Sequence, residues 1–159
     1  MLHLPEDCKI VQALEPATDA AGRTGDYVSL KNCHRCYVLF HVTQGNAATI
    51  LISINQATAV APTGAKAITV GVPIWSNLDC AASDTLVART AAVSYTTDAG
   101  VKHKQVIFQI DPATLDQANG FDCIAVVTGA SNVANITSAQ YLLTDIRYHQ
   151  ATPPAAITD

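Results

Sequence analysis

The chain of 159 residues carries nine Lys and Arg against thirteen Asp and Glu, a formal charge of −4, with 14% charged and 49% hydrophobic residues. That length supports one compact core rather than two; the scattered cations form no basic patch for phosphates, and no apolar run approaches the roughly 20 residues that span a bilayer. Neither nucleic acid nor membrane is expected as a partner, and the low charge leaves a surface of Ala, Thr, Ser and Asn that suits lasting contact with other subunits.

The opening MLHLPEDCK lacks the charged and apolar regions of a secretory signal, so synthesis in the cytoplasm is expected. From there to Asp26 the sequence mixes Pro, Asp and Gly without a sustained period of 2 or 3.6, which predicts an extended arm over 1–25. Strapped across a partner, such an arm would bury Ile10, Val11 and Leu14, the candidate arm interface. GDYVSLKN predicts a first strand, and NCHRC a bend feeding the long strand Tyr37–Val42. Gln44-Gly45-Asn46 then predicts a hairpin turn into Thr49–Ile54, because Gly and Asn accept positive φ.

A Pro-Thr-Gly turn at Pro62 precedes AITVGV, and Pro73 limits PIWSNL to a strand start or edge. Short strands follow near Leu86–Arg89 and Val93–Thr96, with a competing helical reading for Ala81–Ala92. KHKQVIFQI is a strand; DPATLDQANG has Asp111 as cap, Pro112 at the first helical position and Gly120 as stop. FDCIAVVTG and NITSAQYLLTDIRYH complete the strands, a Gly and Asn turn between them echoing the one at Gly45. The Pro-rich tail 149–159 is expected to leave the fold. Short apolar runs separated by turn residues define an all-β class, an antiparallel β-sandwich of jelly-roll-like kind over 26–148 with strands covered on both faces.

Five cysteines, Cys8, Cys33, Cys36, Cys80 and Cys123, cannot all pair within one chain. All five are candidate disulfide cysteines. If Cys33 and Cys36 flank one strand, their three-residue offset turns them to opposite faces, one toward the core and the other, with Cys8, toward a neighbouring subunit. The Cys33-His34-Arg35-Cys36 spacing lacks the second ligand pair of a zinc site and the following helix of a redox motif. No nucleophile elbow, paired-carboxylate motif, phosphate loop or oriented His is present, so no catalytic, cofactor-binding or metal-ligating residues are expected and the chain reads as a non-enzyme. Asn135-Ile136-Thr137 matches a glycosylation sequon that has no use without a secretory route. Trp75, the single tryptophan, is either a core plug or an interface anchor.

The stretches DAAGRTGDYVSLKN, QGNAAT, PIWSNLDCAASDTL, VSYTTDA, FDCIAVVTGASN and RYHQATPPAAI together resemble a family of small virion proteins of tailed bacteriophages, from about Lys9 to Ile157. The resemblance implies a structural component of the head, of capsid decoration or cement type, without enzymatic activity. Cys80 and Cys123 sit in family-like phrases, whereas Cys8, Cys33 and Cys36 look additional, as disulfide reinforcement between subunits outside the cell would require. The expectation is therefore a homo-oligomer, a trimer, on the capsid exterior, with the major capsid protein and other virion proteins as partners. A neck, collar or tail component and a receptor- or carbohydrate-binding module are the alternatives.

Overall fold

The computed structural model describes residues 3, 4 and 6–158. Its strands are β1 (Lys9–Thr18), β2 (Arg23–Thr24), β3 (Val28–Ser29), β4 (Cys33–Gln44), β5 (Leu51–Ala57), β6 (Lys66–Ala67), β7 (Val72–Asn77), β8 (Val87–Ala92), β9 (Ser94–Thr96), β10 (His103–Ile110), β11 (Cys123–Thr128) and β12 (Asn135–Ile146). A larger antiparallel sheet runs β1-β12-β4-β10-β7-β8; a smaller one runs β2-β11-β5-β6, with β3 also on β11 and β9 on β5. Leaving out the β7–β8 hairpin, the chain alternates between sheets so that β1-β12-β4-β10 faces the β11 and β5 sheet. That order is the jelly roll, two Greek keys closed on each other.

Alternation within each strand builds the core. Cys36, Val38, Phe40 and Val42 of β4, Val106, Phe108 and Ile110 of β10, and Ala139, Tyr141 and Leu143 of β12 meet Ile52, Ile54, Ile124 and Val126 of the smaller sheet. Burying each of the larger apolar side chains contributes about 1.5–3 kcal/mol relative to exposure. Strand β11 is enclosed on its second face too, where Cys123 and Ala125 pack with Tyr27 and Ala57.

The Gly45 turn differs from its expectation. Strands β4 and β5 lie in different sheets, so the chain crosses the sandwich there, as it does again between β11 and β12. Gly45 serves close approach, since a Cβ on it would lie 2.5 Å from the Ala134 carbonyl oxygen. The expected arm is also revised: residues 9–18 are an edge strand hydrogen-bonded along β12, with Ala13 and Leu14 in the core. Two register shifts, between Gln12 and Leu14 and between Leu14 and Ala17, break the period that would have marked it as a strand. Of the segments expected as arm and tail, Met1, Leu2, Pro5 and Asp159 lie outside the described residues. The tail folds back: Ala156 is buried, its carbonyl accepts from the Ser29 amide at 2.7 Å, and Lys9 Nζ donates to the Pro153 carbonyl at 3.2 Å.

Asp111 caps a short 3-10 turn at Pro112–Thr114 and Gly120 closes the second at Gln117–Asn119 with φ 79°. The helical reading for 81–92 is not realised; Val87–Ala92 is strand, and an extra residue on it opposes Pro73, which has no amide to donate.

Candidate functional surface

One face of the larger sheet packs on the smaller; the other is uncovered within the chain. Cross-strand register fixes what it displays. One row runs Ile10, Leu142, Tyr37 and Gln109 across β1, β12, β4 and β10. The next runs Gln12, Gln140, Leu39, Ile107, Trp75 and Ala88 from β1 to β8. Both rows are free of charge. Ile10 is 51% exposed, while Leu142, Tyr37, Leu39, Ile107 and Trp75 are half-buried only by one another and their flanks. Leu86 joins them in a shallow hollow beside Trp75. The expectation of strands covered on both faces thus fails for this sheet in the single chain. Trp75 stands on the exposed apolar face and not in the inter-sheet core.

The loops at one end of the sandwich are fixed by buried polar groups that a reading of periods passes over. Asp19 is fully buried; its carboxylate accepts from Thr128 Oγ1 and Thr137 Oγ1, both at 2.8 Å, and from Arg23 Nε at 3.1 Å. The Arg23 guanidinium donates onward to the carbonyls of Glu15 and Thr137. Lys104, on the core face of β10, is 1% exposed; its ammonium donates to Gln44 Oε1 at 2.7 Å and to the carbonyl and carboxylate of Asp98. Asn135 binds Ala48 and Ser131 through its amide and accepts from the Asn46 amide. Each ion or amide is saturated by local partners, so these sites lock loops rather than present reactive groups.

The candidate cysteines do not come together. Among the described residues no disulfide forms, and Cys8, Cys33, Cys36 and Cys123 are buried. Cys36 faces the inter-sheet core, where burial pushes its thiol well up. Cys33 begins β4 enclosed by the preceding turn, its Sγ 3.7 Å from the Leu30 carbonyl oxygen, and desolvation pushes it up to about 12. The offset therefore does not turn one of the pair toward a neighbour. Cys80, half-exposed after β7, also has a raised thiol, from burial and then the Asp79 charge. Of the candidate arm residues, Ile10 lies on the apolar face, whereas Val11 packs toward the core and Leu14 is within it. No cluster of three or more His, Cys, Asp or Glu fit to hold a metal occurs among the described residues, and no helix there is long and apolar enough to cross a membrane.

Fold and surface together define an all-β jelly-roll sandwich whose uncovered sheet face carries two adjacent charge-free rows. No protein-family model matches the chain, and no curated protein matches it. Among solved structures it is similar to the SPBc2 prophage-derived protein YomS, at 10% identity over 90% of this chain and 96% of that one, with a TM-score of 0.51. A CBM4 structure aligns at 12% identity over 87% of this chain and 68% of that one, with a TM-score of 0.30. The first likeness establishes a shared fold.

Proposed function

We propose that the chain is a structural protein of a tailed-phage virion that decorates and stabilises the capsid shell, seated on the capsid exterior with the major capsid protein as its partner. The observation that carries this reading is the pair of adjacent charge-free rows on the uncovered sheet face, which together bring Ile10, Leu142, Tyr37, Leu39, Ile107 and Trp75 side by side. Contiguous apolar surface of that kind marks a protein contact, and the absence of charge at its centre matches the composition of interface cores. The prophage origin of the fold-level neighbour YomS and the resemblance of the sequence to small phage virion proteins point to the particle as the place of that contact.

The role is mechanical. Many copies bury this face and so act as a multivalent clamp against the pressure of packaged DNA, with no chemical step. The buried, high-pKa thiols Cys33 and Cys36 support it by leaving no ready nucleophile in the Cys-x-x-Cys motif. Quantitative mass spectrometry of purified particles tests the proposal. A copy number that scales with the shell lattice is expected, with loss of the protein lowering the particles' resistance to heat or chelation. A count equal to one ring places it at the neck or tail, and absence from particles overturns the reading.

A further inference from the structure

We propose that the seat of the C-terminal segment is a docking site for the same segment of a second copy, through which neighbouring copies exchange tails. The groove lies where β1 begins and β12 ends, lined by Lys9, Asn32, Leu143 and Ile146. Pro153 and Ala156 of the tail sit in it and are buried, whereas Thr152, Ala155 and Ile157 are exposed. Two buried residues three apart with exposed residues around them are the pattern of an extended proline-rich segment, which repeats every three residues and lays one face in a groove. Main-chain bonds fix its register: the Ala156 carbonyl accepts from the Ser29 amide at 2.7 Å, and the Pro153 carbonyl from Lys9 Nζ at 3.2 Å.

The connection into the seat is built to open. All six residues 147–152 are exposed. The Arg147 amide donates to the Asn32 carbonyl at 2.9 Å, and His149 Nδ1 lies 3.2 Å from Asp7 Oδ1 on the surface. Ile146, the last residue of β12, lines the groove that Ala156 fills, so within one chain this connection doubles back on itself. Straightened, six residues span up to about 20 Å. That reach carries 153–156 from one groove to that of an adjoining copy while both sandwich cores stay intact.

The occupant is a second copy because the segment seated in the groove is the chain's own. A neighbour brings identical residues and makes the identical bonds, which is the basis of exchange between protomers. A short connection holds the segment at roughly millimolar effective concentration, so a lone subunit keeps its own tail. Copies packed side by side offer one another's tails at comparable concentration, and exchange then straps them together. That crowding rests on the function proposed above; acceptance of a second copy's segment does not.

The experiment has two arms. In the first, the full chain with residues 148–152 deleted is compared with wild type by analytical ultracentrifugation. One residue then joins Ile146 to Pro153, where a chain reversal needs about four, so the tail can seat only in another copy. This chain is expected to sediment as a heavier species than wild type at equal concentration, and to lose that excess mass when Ala156→Asp is added. A folded deletion chain no heavier than wild type, or an assembly that survives Ala156→Asp, overturns the proposal. In the second arm, a peptide of residues 151–159 is titrated into the isotope-labelled full chain carrying Pro153→Asp/Ala156→Asp, whose own tail cannot seat. Saturable shifts of the Ser29 amide are expected, with a dissociation constant below about 1 mM, the concentration that a short connection supplies. Absence of shifts, or equal binding by a peptide carrying the same two substitutions, overturns the proposal, and this arm decides alone if the deletion chain does not fold. Particle stoichiometry reports on the proposed function independently of all these outcomes.

Discussion

Tyr141 is the fully buried phenol at the centre of the sandwich. Its oxygen accepts from the Val126 amide at 2.8 Å and donates to the Asp26 carbonyl at 3.0 Å, tying β12 to β11 and to the chain entering β3. Desolvation drives its ionisation far above the ordinary range, so it stays a neutral donor at all working pH. Tyr141→Phe strands the buried Val126 amide and unpairs the part-buried Asp26 carbonyl, and should cost about 1–3 kcal/mol, read as a lower urea midpoint at unchanged slope. Asp98 carries the acid response of the loop end. Its carboxyl lies below the ordinary 3.8, chiefly through the hydrogen bond from Lys104. A carboxyl held low in the folded state adds stability above its unfolded pKa and loses it as pH falls through the folded value. The gap in stability between wild type and Asp98→Asn should therefore be full at neutral pH and shrink below about pH 4, in urea melts across a pH series. With half of the Asp98 side chain in solvent the gap is modest. The thiols give a third check: under native conditions a maleimide should modify Cys80 alone and slowly, and all five cysteines only after denaturation. Rapid native labelling of Cys33 or Cys36 would contradict their burial.

At the scale of elements, β4, β10, β11 and β12 were legible because each is an unbroken apolar or alternating run with turn residues at both ends. β1 was not: Pro16 and the two register shifts shuffle its inward residues out of period 2, and the remaining sequence reads as an arm. The Gly45 turn misled for a different reason. A hairpin and a sandwich crossing both need a compact turn between apolar strands, and only the sheet order distinguishes them. This changes what truncation does. Removing residues before Asp26 deletes β1 and β2, bares the edge of β12 and takes Ala13 and Leu14 from the core, so the shortened chain should fail to fold rather than merely detach. Removing the tail after Gln150 forfeits less: the seat of Ala156, its bond to Ser29 and the Lys9 contact. That variant should keep its circular dichroism spectrum and melt a few degrees lower, as about 1–2 kcal/mol implies for a domain of this size.

For the whole molecule, the apolar face was present in the sequence as a surplus. Tyr37-Val38-Leu39-Phe40 and Val106-Ile107-Phe108 are apolar in both phases of the alternation, whereas one covered face needs only one phase. That excess admits two explanations, a second covering layer from the same chain or one from another molecule. The composition cannot choose between them because it counts residues without assigning faces. The jelly roll chooses. Its smaller sheet fills one side, and the tail, the other unassigned segment, packs beside Ser29 and Lys9 instead of over Leu39. On the function proposed above the cover comes from outside the chain, and charge should then destroy it without touching the fold. Ile10→Lys/Leu39→Lys places two ammonium groups on exposed or half-exposed positions, from which each long side chain reaches water. Its urea midpoint should lie close to wild type, while co-sedimentation with particles stripped of the protein should fall by at least about tenfold, the 1.4 kcal/mol that one desolvated charge readily exceeds. Undiminished binding by a folded double variant would show that the particle is held by another surface.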